Sequence, residues 1–174
     1  ALMSEKIAPA KIPESTLERT MYRDLEVLHV TPAQPRQDAP PLLFVHGAWH
    51  GAWCWEHFLP FFAENGYAAY ALSLRAHGNS KGKSPRWASW SDYVADVAYV
   101  AGQLSPTPVI IGHSMGGYIT QKYLESHKAH AAIFLASIPS HGILPFVMRL
   151  LRDVPFDMLR AGLTLSPYQL VRSP

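Results

Sequence analysis

Cysteine is nearly missing from this chain: Cys54 is the only one in 174 residues. A single thiol can form neither an internal disulfide nor a cysteine metal cluster, so a disulfide-stapled scaffold is excluded and nothing points to an oxidising compartment. The expected location is cytoplasmic. Charge is also scarce, at 16% of residues against about 25% in an ordinary globular domain. Neither sign dominates: 15 Lys+Arg meet 13 Asp+Glu for a net charge of +2, scattered along the chain, which leaves no basic patch to track a nucleic acid. Long apolar runs are missing too. No stretch reaches the about 18 uninterrupted apolar residues of a membrane span, and the opening residues Ala1 to Lys6 contain no signal-peptide core. No His-x-x-x-His, Glu-x-x-His or cysteine pair stands at ligand spacing on a suitable element, and no phosphate-binding glycine loop occurs, so neither metal nor cofactor is expected.

What is present is apolar and heavily punctuated. Hydrophobic residues make up 48% of the chain, too many for a disordered segment, and the length suits one domain with a real core. Fifteen prolines, nearly twice the usual share of about 5%, imply many short elements with sharp ends.

The pattern divides the chain into three parts. Residues 1–41 hold a late alternation in Leu25, Val27 and Val30 and then the proline-rich loop Thr31–Pro41, as expected for edge strands that close on a loop. Residues 42–137 alternate wholly apolar runs with helical stripes. The runs are Leu42–Val45, Tyr67–Leu72, Val109–Ile111 and Ala131–Leu135; strands apolar on both faces belong in a parallel sheet covered by helices. Between them, Trp55, Phe58, Leu59 and Phe62 share one helical face that stops at Asn65-Gly66, with Pro60 confining the start to about Glu56 or His57. Val94, Val97, Ala98 and Ala101 form a second face behind a Ser89/Asp92 capping box. A third helix is expected over Met115–His127. This is an α/β fold, with right-handed crossovers and its ligand at the carboxyl ends of the strands. Residues 138–174 read as short helices broken by Pro139, Pro145, Pro155 and Pro167, with Phe146, Val147, Leu150, Leu151 and Val154 on one face, as in a helical cap.

The sharpest motif is Val109-Ile110-Ile111-Gly112-His113-Ser114-Met115-Gly116-Gly117, an apolar strand running through G-x-S-x-G into a helix. That context presents a nucleophilic serine on a strained turn, with glycines clearing its surroundings and the helix amides aimed at a developing oxyanion. A second motif, Val45-His46-Gly47-Ala48-Trp49-His50-Gly51, ends an earlier strand where a turn at Gly47 can aim a backbone N–H at the same serine.

In this order, with Ser73-Leu74-Arg75-Ala76-His77-Gly78-Asn79-Ser80 between them, the motifs resemble the α/β-hydrolase superfamily in its serine esterase, lipase and lysophospholipase-like branch. His46 to Trp55 also resembles the opening of plant methylesterases and hydroxynitrile lyases. The resemblance covers about Leu42 to Ser137. It implies Ser114 as nucleophile and the amides of Ala48 and Met115 as oxyanion hole, with a small-molecule ester cleaved through an acyl-enzyme. Trp49 and His50, near the mouth, are the candidates to touch the substrate, and the apolar helical face in residues 138–174 suggests that the ester is lipophilic. Ser73 and Ala76 stand where relatives often carry Asp and Gly, a change in a loop expected only to shape the site.

The family order is Ser, then Asp or Glu, then His. After Ser114 the histidines are His127, His130 and His141 and the acids Glu125, Asp153 and Asp157, so the triad acid and base are expected to be missing and the chain to stop inside the cap. His141 is the improvised base to consider, with Asp153 or Asp157 to orient it. Two other functions are possible on this scaffold: a hydroxynitrile lyase or C–C bond hydrolase, and a non-catalytic binding module. Without further strands beside Ala131–Leu135, an apolar sheet edge is exposed and self-association is expected.

Overall fold

Four residues with no polar side chain, Leu42–Val45 (β3), cannot face water on either side, and in the computed structural model they form a strand no more than 7% exposed at any position. The structure describes residues 17–82, 87–142 and 144–153, and only the backbone at 145–147, 150 and 151. Around β3 the sheet runs β1-β2-β4-β3-β5-β6, built from Glu18–Tyr22 (β1), Leu25–Val30 (β2), Ala69–Leu72 (β4), Val109–His113 (β5) and Ala131–Leu135 (β6). The pairs β3/β4, β3/β5 and β5/β6 are parallel. The first two strands form an antiparallel hairpin, and β2 joins β4, also antiparallel. All six strands thus share one sheet, and the chain divides into a unit ending at Ser137 and a second unit from Ile138.

The helices follow the apolar spacings. The first, Phe58–Glu64 (α1), takes Pro60 in its first turn, where its missing N–H is no loss. It stops at Asn65, before Gly66 at φ +85. Trp90–Ala101 (α2) begins on the capping box, with the Ser89 hydroxyl accepting the Asp92 amide and the Asp92 carboxylate accepting the Ser89 amide. Met115–Leu124 (α3) is shorter than its apolar spacing suggests, because Ser126 and His127 turn back to donate to the Tyr123 carbonyl. Likewise β4 starts only at Ala69, since the Tyr67 amide donates to Phe62 at the end of α1. Phe44 packs against Trp55 and Phe62, ring centroids 5.0 and 5.5 Å apart, so α1 and the short turn Ala52–Trp55 cover one face of β3.

In the second unit, Leu144–Asp153 (α4) carries Arg149 and Arg152 against Asp153. The apolar face assigned to Phe146, Val147, Leu150, Leu151 and Val154, and the acid Asp157, lie outside the described side chains. Among the described residues no helix is long and apolar enough to cross a membrane, and no group of three His, Cys, Asp or Glu is placed to hold a metal ion.

Candidate active site

Ser114 stands between β5 and α3 with φ 52 and ψ −114, a backbone state that costs an L-residue energy and survives only where its neighbours impose it. Those neighbours are legible in the glycines. A Cβ on Gly116 would fall on the carbonyl oxygens of Val45 and His46, and one on Gly112 would come within 2.6 Å of Gly116 O and Thr120 Oγ1. The end of β5 and the first turn of α3 are thus pressed together and against the end of β3. From the other side the Ser114 amide donates to the Leu135 carbonyl of β6 at 2.9 Å. The Ser114 side chain makes no capping bond to its own helix, so the hydroxyl is not spent on structure there. Met115 is the first residue of α3, where a backbone N–H has no partner inside the helix.

The loop after β3 lies against this turn. A Cβ on Gly47 would sit 3.0 Å from His113 Nδ1 and 3.2 Å from Ser114 Cβ, so Gly47 is needed for the approach. His46, fully buried, holds the loop: the Leu74 amide donates to its Nε2 at 3.0 Å and its Nδ1 donates to the Gly47 carbonyl at 2.7 Å. This fixes the neutral ring with its proton on Nδ1, and burial pushes its pKa down to about 3. The His113 ring, in line with divergence of neighbouring side chains on a tight turn, lies toward Trp55 and His50, and its pKa is also lowered, by burial first and then by the nearby His50.

A cleft of about 590 Å³ opens beside the turn, lined by Ala48, Trp49, His50, Trp53, Ala76, His77, Gly78, Ala88, Trp90, Tyr93 and Met115. The four residues singled out beside Ser114, namely Ala48, Trp49, His50 and Met115, all border it. Trp49 has φ 60 and is 75% exposed, an indole held out into water by a strained backbone. His50 donates its Nδ1 proton to the Ala48 carbonyl at 2.7 Å and stacks on Trp53. His141 belongs to the second unit.

Glu26 on β2 was not legible as part of this region. It is 2% exposed, and its carboxylate accepts from the Ser73 hydroxyl, the Asn79 amide and the Asn79 side chain at 2.7, 2.9 and 2.6 Å, beside Arg19. Burial alone would raise this carboxyl, but the Asn79 and Ser73 hydrogen bonds and the Arg19 charge outweigh it and hold the group below the usual carboxylate range. Ser73 Oγ in turn accepts the Ala52 amide at 2.8 Å, which ties the loop after β4 to the loop after β3. Ser73 is therefore a buried crosslink between the two loops that border the cleft, a larger role than loop shape. Arg75 anchors the same loop to α2 through Asp96 and Asp92, and its pKa is raised by those hydrogen bonds, Asp96 first.

A sheet with this strand order, a serine on a strained strand-to-helix turn and a cleft at the carboxyl ends of the strands define a class of fold that hosts many acyl-transfer enzymes. The sequence model of the alpha/beta hydrolase family matches residues 42–173, and the chain belongs to that family. It is 30% identical to norfluorocurarine synthase 1 of Strychnos nux-vomica over 107 residues, 59% of this chain and 40% of that protein. It is 32% identical to the probable esterase PIR7A of Oryza sativa subsp. indica over 105 residues, 58% of this chain and 40% of the other. Human protein phosphatase methylesterase 1 is 34% identical over 106 residues, 58% of this chain and 28% of its own. The matched part thus spans well under half of each relative. Among solved structures, the fold is shared with an epoxide hydrolase from Vigna radiata, at TM-score 0.62 and 18% identity over 73% of this chain and 42% of that one.

Proposed function

We propose that this chain carries the nucleophile and oxyanion-binding part of an enzyme that hydrolyses carboxylic esters. The observation that carries the reading is Ser114, held at φ 52 and ψ −114 at the start of α3 beside a cleft bordered by Ala48 and Met115. Ser114 Oγ bonds to the ester carbonyl carbon while its proton passes to a histidine base. The oxyanion that forms sits between the Ala48 and Met115 amides, an interaction whose loss costs such enzymes about 10²–10³ in rate per donor. Collapse of the tetrahedral species breaks the bond to the alcohol oxygen, which takes the proton from the histidine, and water then repeats the sequence to free the acid and Ser114. We place the base and its orienting acid outside residues 17–137, because the family order puts both after the nucleophile and the histidines that follow Ser114 there, His127 and His130, stand past the end of α3, with His127 against Tyr123 and the His130 amide bonded to Pro108 before β5.

The test is labelling of the folded chain by a fluorophosphonate, read by intact mass, with Ser114→Ala as control and circular dichroism to establish folding. The expected result is little or no adduct on this chain alone. Ser114-dependent labelling would show that a base acts within these 174 residues, His141 being the candidate. An adduct on another residue would overturn Ser114 as the nucleophile. A second reading, a non-hydrolytic reaction on the same scaffold, is favoured by the relative named as a synthase; release of a carbonyl product from a cyanohydrin, without turnover of aryl esters, would select it.

A further inference from the structure

We propose that the cleft beside Ser114 takes an uncharged ester carrying a flat aromatic ring system, a substrate class that rests on the ester-hydrolase reading above. The lining supplies two arguments. First, none of the described residues that border the cleft is Asp, Glu, Lys or Arg. A carboxylate or ammonium group entering it would lose water and find no opposite charge, which is strongly unfavourable.

Second, the walls are rings. Trp49, His50 and Trp53 come from the loop after β3, and His77, Trp90 and Tyr93 from the loop after β4 and from α2. Within each set the rings brace one another: His50 stacks on Trp53 with centroids 5.5 Å apart and planes 23° from parallel, while Tyr93 meets His77 and Trp90 at 6.0 and 6.3 Å. The other lining residues are small, Ala48, Ala76, Gly78 and Ala88, apart from Met115. Rigid rings between small residues suit a flat guest with a π face, and a saturated ring of the same outline gains burial but not the offset or edge-to-face contacts that aromatic pairs add. Trp49, Trp53 and Trp90 are 75%, 52% and 50% exposed, so indole surface stands in water in the empty cleft and is available to such a guest. The volume of about 590 Å³ falls within the range of small-molecule sites.

The probe set is methyl 2-naphthoate, methyl decahydronaphthalene-2-carboxylate and the monomethyl ester of naphthalene-2,6-dicarboxylic acid, titrated at pH 7.5 into the full chain carrying Ser114→Ala, so that binding is read without turnover. Quenching of tryptophan fluorescence and calorimetry report dissociation constants. The expected order is naphthoate tightest, the saturated ester about fivefold or more weaker, and the anionic ester undetectable. Trp53→Leu, which keeps apolar bulk but removes the indole face, narrows the naphthoate preference, while Trp87→Ala, outside the cleft lining, leaves it unchanged; circular dichroism shows that both are folded. Equal binding of the aromatic and saturated esters, tight binding of the anion, or no binding of any of the three overturns the proposal. The Ser114 reading is overturned only by an adduct on another residue, a result no outcome of this titration produces, so either can fail without the other.

Discussion

The two flanks of β5 are built on opposite terms. On the side of β3, the loop from His46 to Ala52 and the first turn of α3 approach so closely that no side chain fits at Gly47, Gly112 or Gly116 without displacing neighbours. The groups they press on are backbone carbonyls, the Thr120 hydroxyl, the half-buried His113 imidazole and the Ser114 Cβ. On the side of β6, the strand is largely open: Ile133, Phe134 and Leu135 are 48%, 44% and 40% exposed, and among the described residues no strand pairs with its outer edge. The opposite edge of the sheet, β1, carries Glu18 and Arg19 on exposed positions, the charged protection that edge strands ordinarily have. So the geometry of the elbow is imposed from the β3 side, where nothing can relax, and β6 contributes one firm anchor, the Leu135 carbonyl that accepts the Ser114 amide.

Two adjacent glycines put that contrast to its strongest test. Alanine at 116 drives Cβ into Val45 O, at the end of a central strand, and His46 O, just beyond it, whereas alanine at 117 meets the Ser137 side chain on the β6 side and, at 3.1 Å, the Gly112 carbonyl. Gly116→Ala is expected to destabilise by on the order of 4 kcal/mol, in the class of forced backbone displacement. Gly117→Ala should cost about 2 kcal/mol: the Ser137 Oγ and Cβ it meets sit on the loop after β6 rather than on a central strand, so that loop must shift and give up the Gln121 bond to Ser137, while alanine is the better helix former by about 1 kcal/mol. Adding Ser137→Gly should recover most of the Gly117→Ala loss and none of the Gly116→Ala loss. Urea unfolding measures all three; equal costs at the two glycines would mean that the flanks are equally rigid.

The second test uses pH. His46 is held neutral on the β3 flank with its pKa at about 3, below an unfolded histidine near 6.5. Below about 6.5 the unfolded chain binds a proton that the folded one refuses, so the stability from this group is full above that pH and is lost as pH falls toward 3. Between pH 7 and 5 the loss is about 2 kcal/mol. In His46→Gln the amide oxygen can accept the Leu74 N–H without titrating, and this part of the acid sensitivity should disappear from the urea midpoints. A variant as acid-sensitive as the wild type would locate the titration elsewhere.

The difference between the flanks also explains what could be read from residues alone. The elbow is local: five residues, Gly112 to Gly116, hold the strand end, the serine and the helix start, and the strand and helix around them follow from apolar periodicity. The Ser89/Asp92 cap is legible for the same reason. The Glu26 network is not, because its members come from β2, from the end of β4 and from the loop beyond, 47 and 53 residues apart in sequence. In the sequence Glu26 is one polar residue in the alternation of an edge hairpin, and only the antiparallel pairing of β2 with β4 turns it inward to meet Ser73. The short ends of α3 and β4 were equally hidden, since each is cut by a turn hydrogen bond that apolar spacing does not encode.

The smallest effect on stability, and the most direct test of the open flank, comes from β6 itself. Because Phe134 is already 44% exposed, Phe134→Lys removes little buried area and should change the unfolding free energy by within about 0.5 kcal/mol. Its effect should appear in association instead. An apolar strand with a free row of N–H and C=O groups pairs readily with another such edge, and a lysine there opposes this by charge and by the cost of burying it. The wild-type chain is therefore expected to show a weight-average mass that rises with concentration in light scattering. The variant should stay near the 19.4 kDa of one chain. A wild-type chain that remains a monomer at high concentration would mean that the β6 edge is protected in solution, and the contrast between the two flanks of β5 would then be one of packing tightness alone.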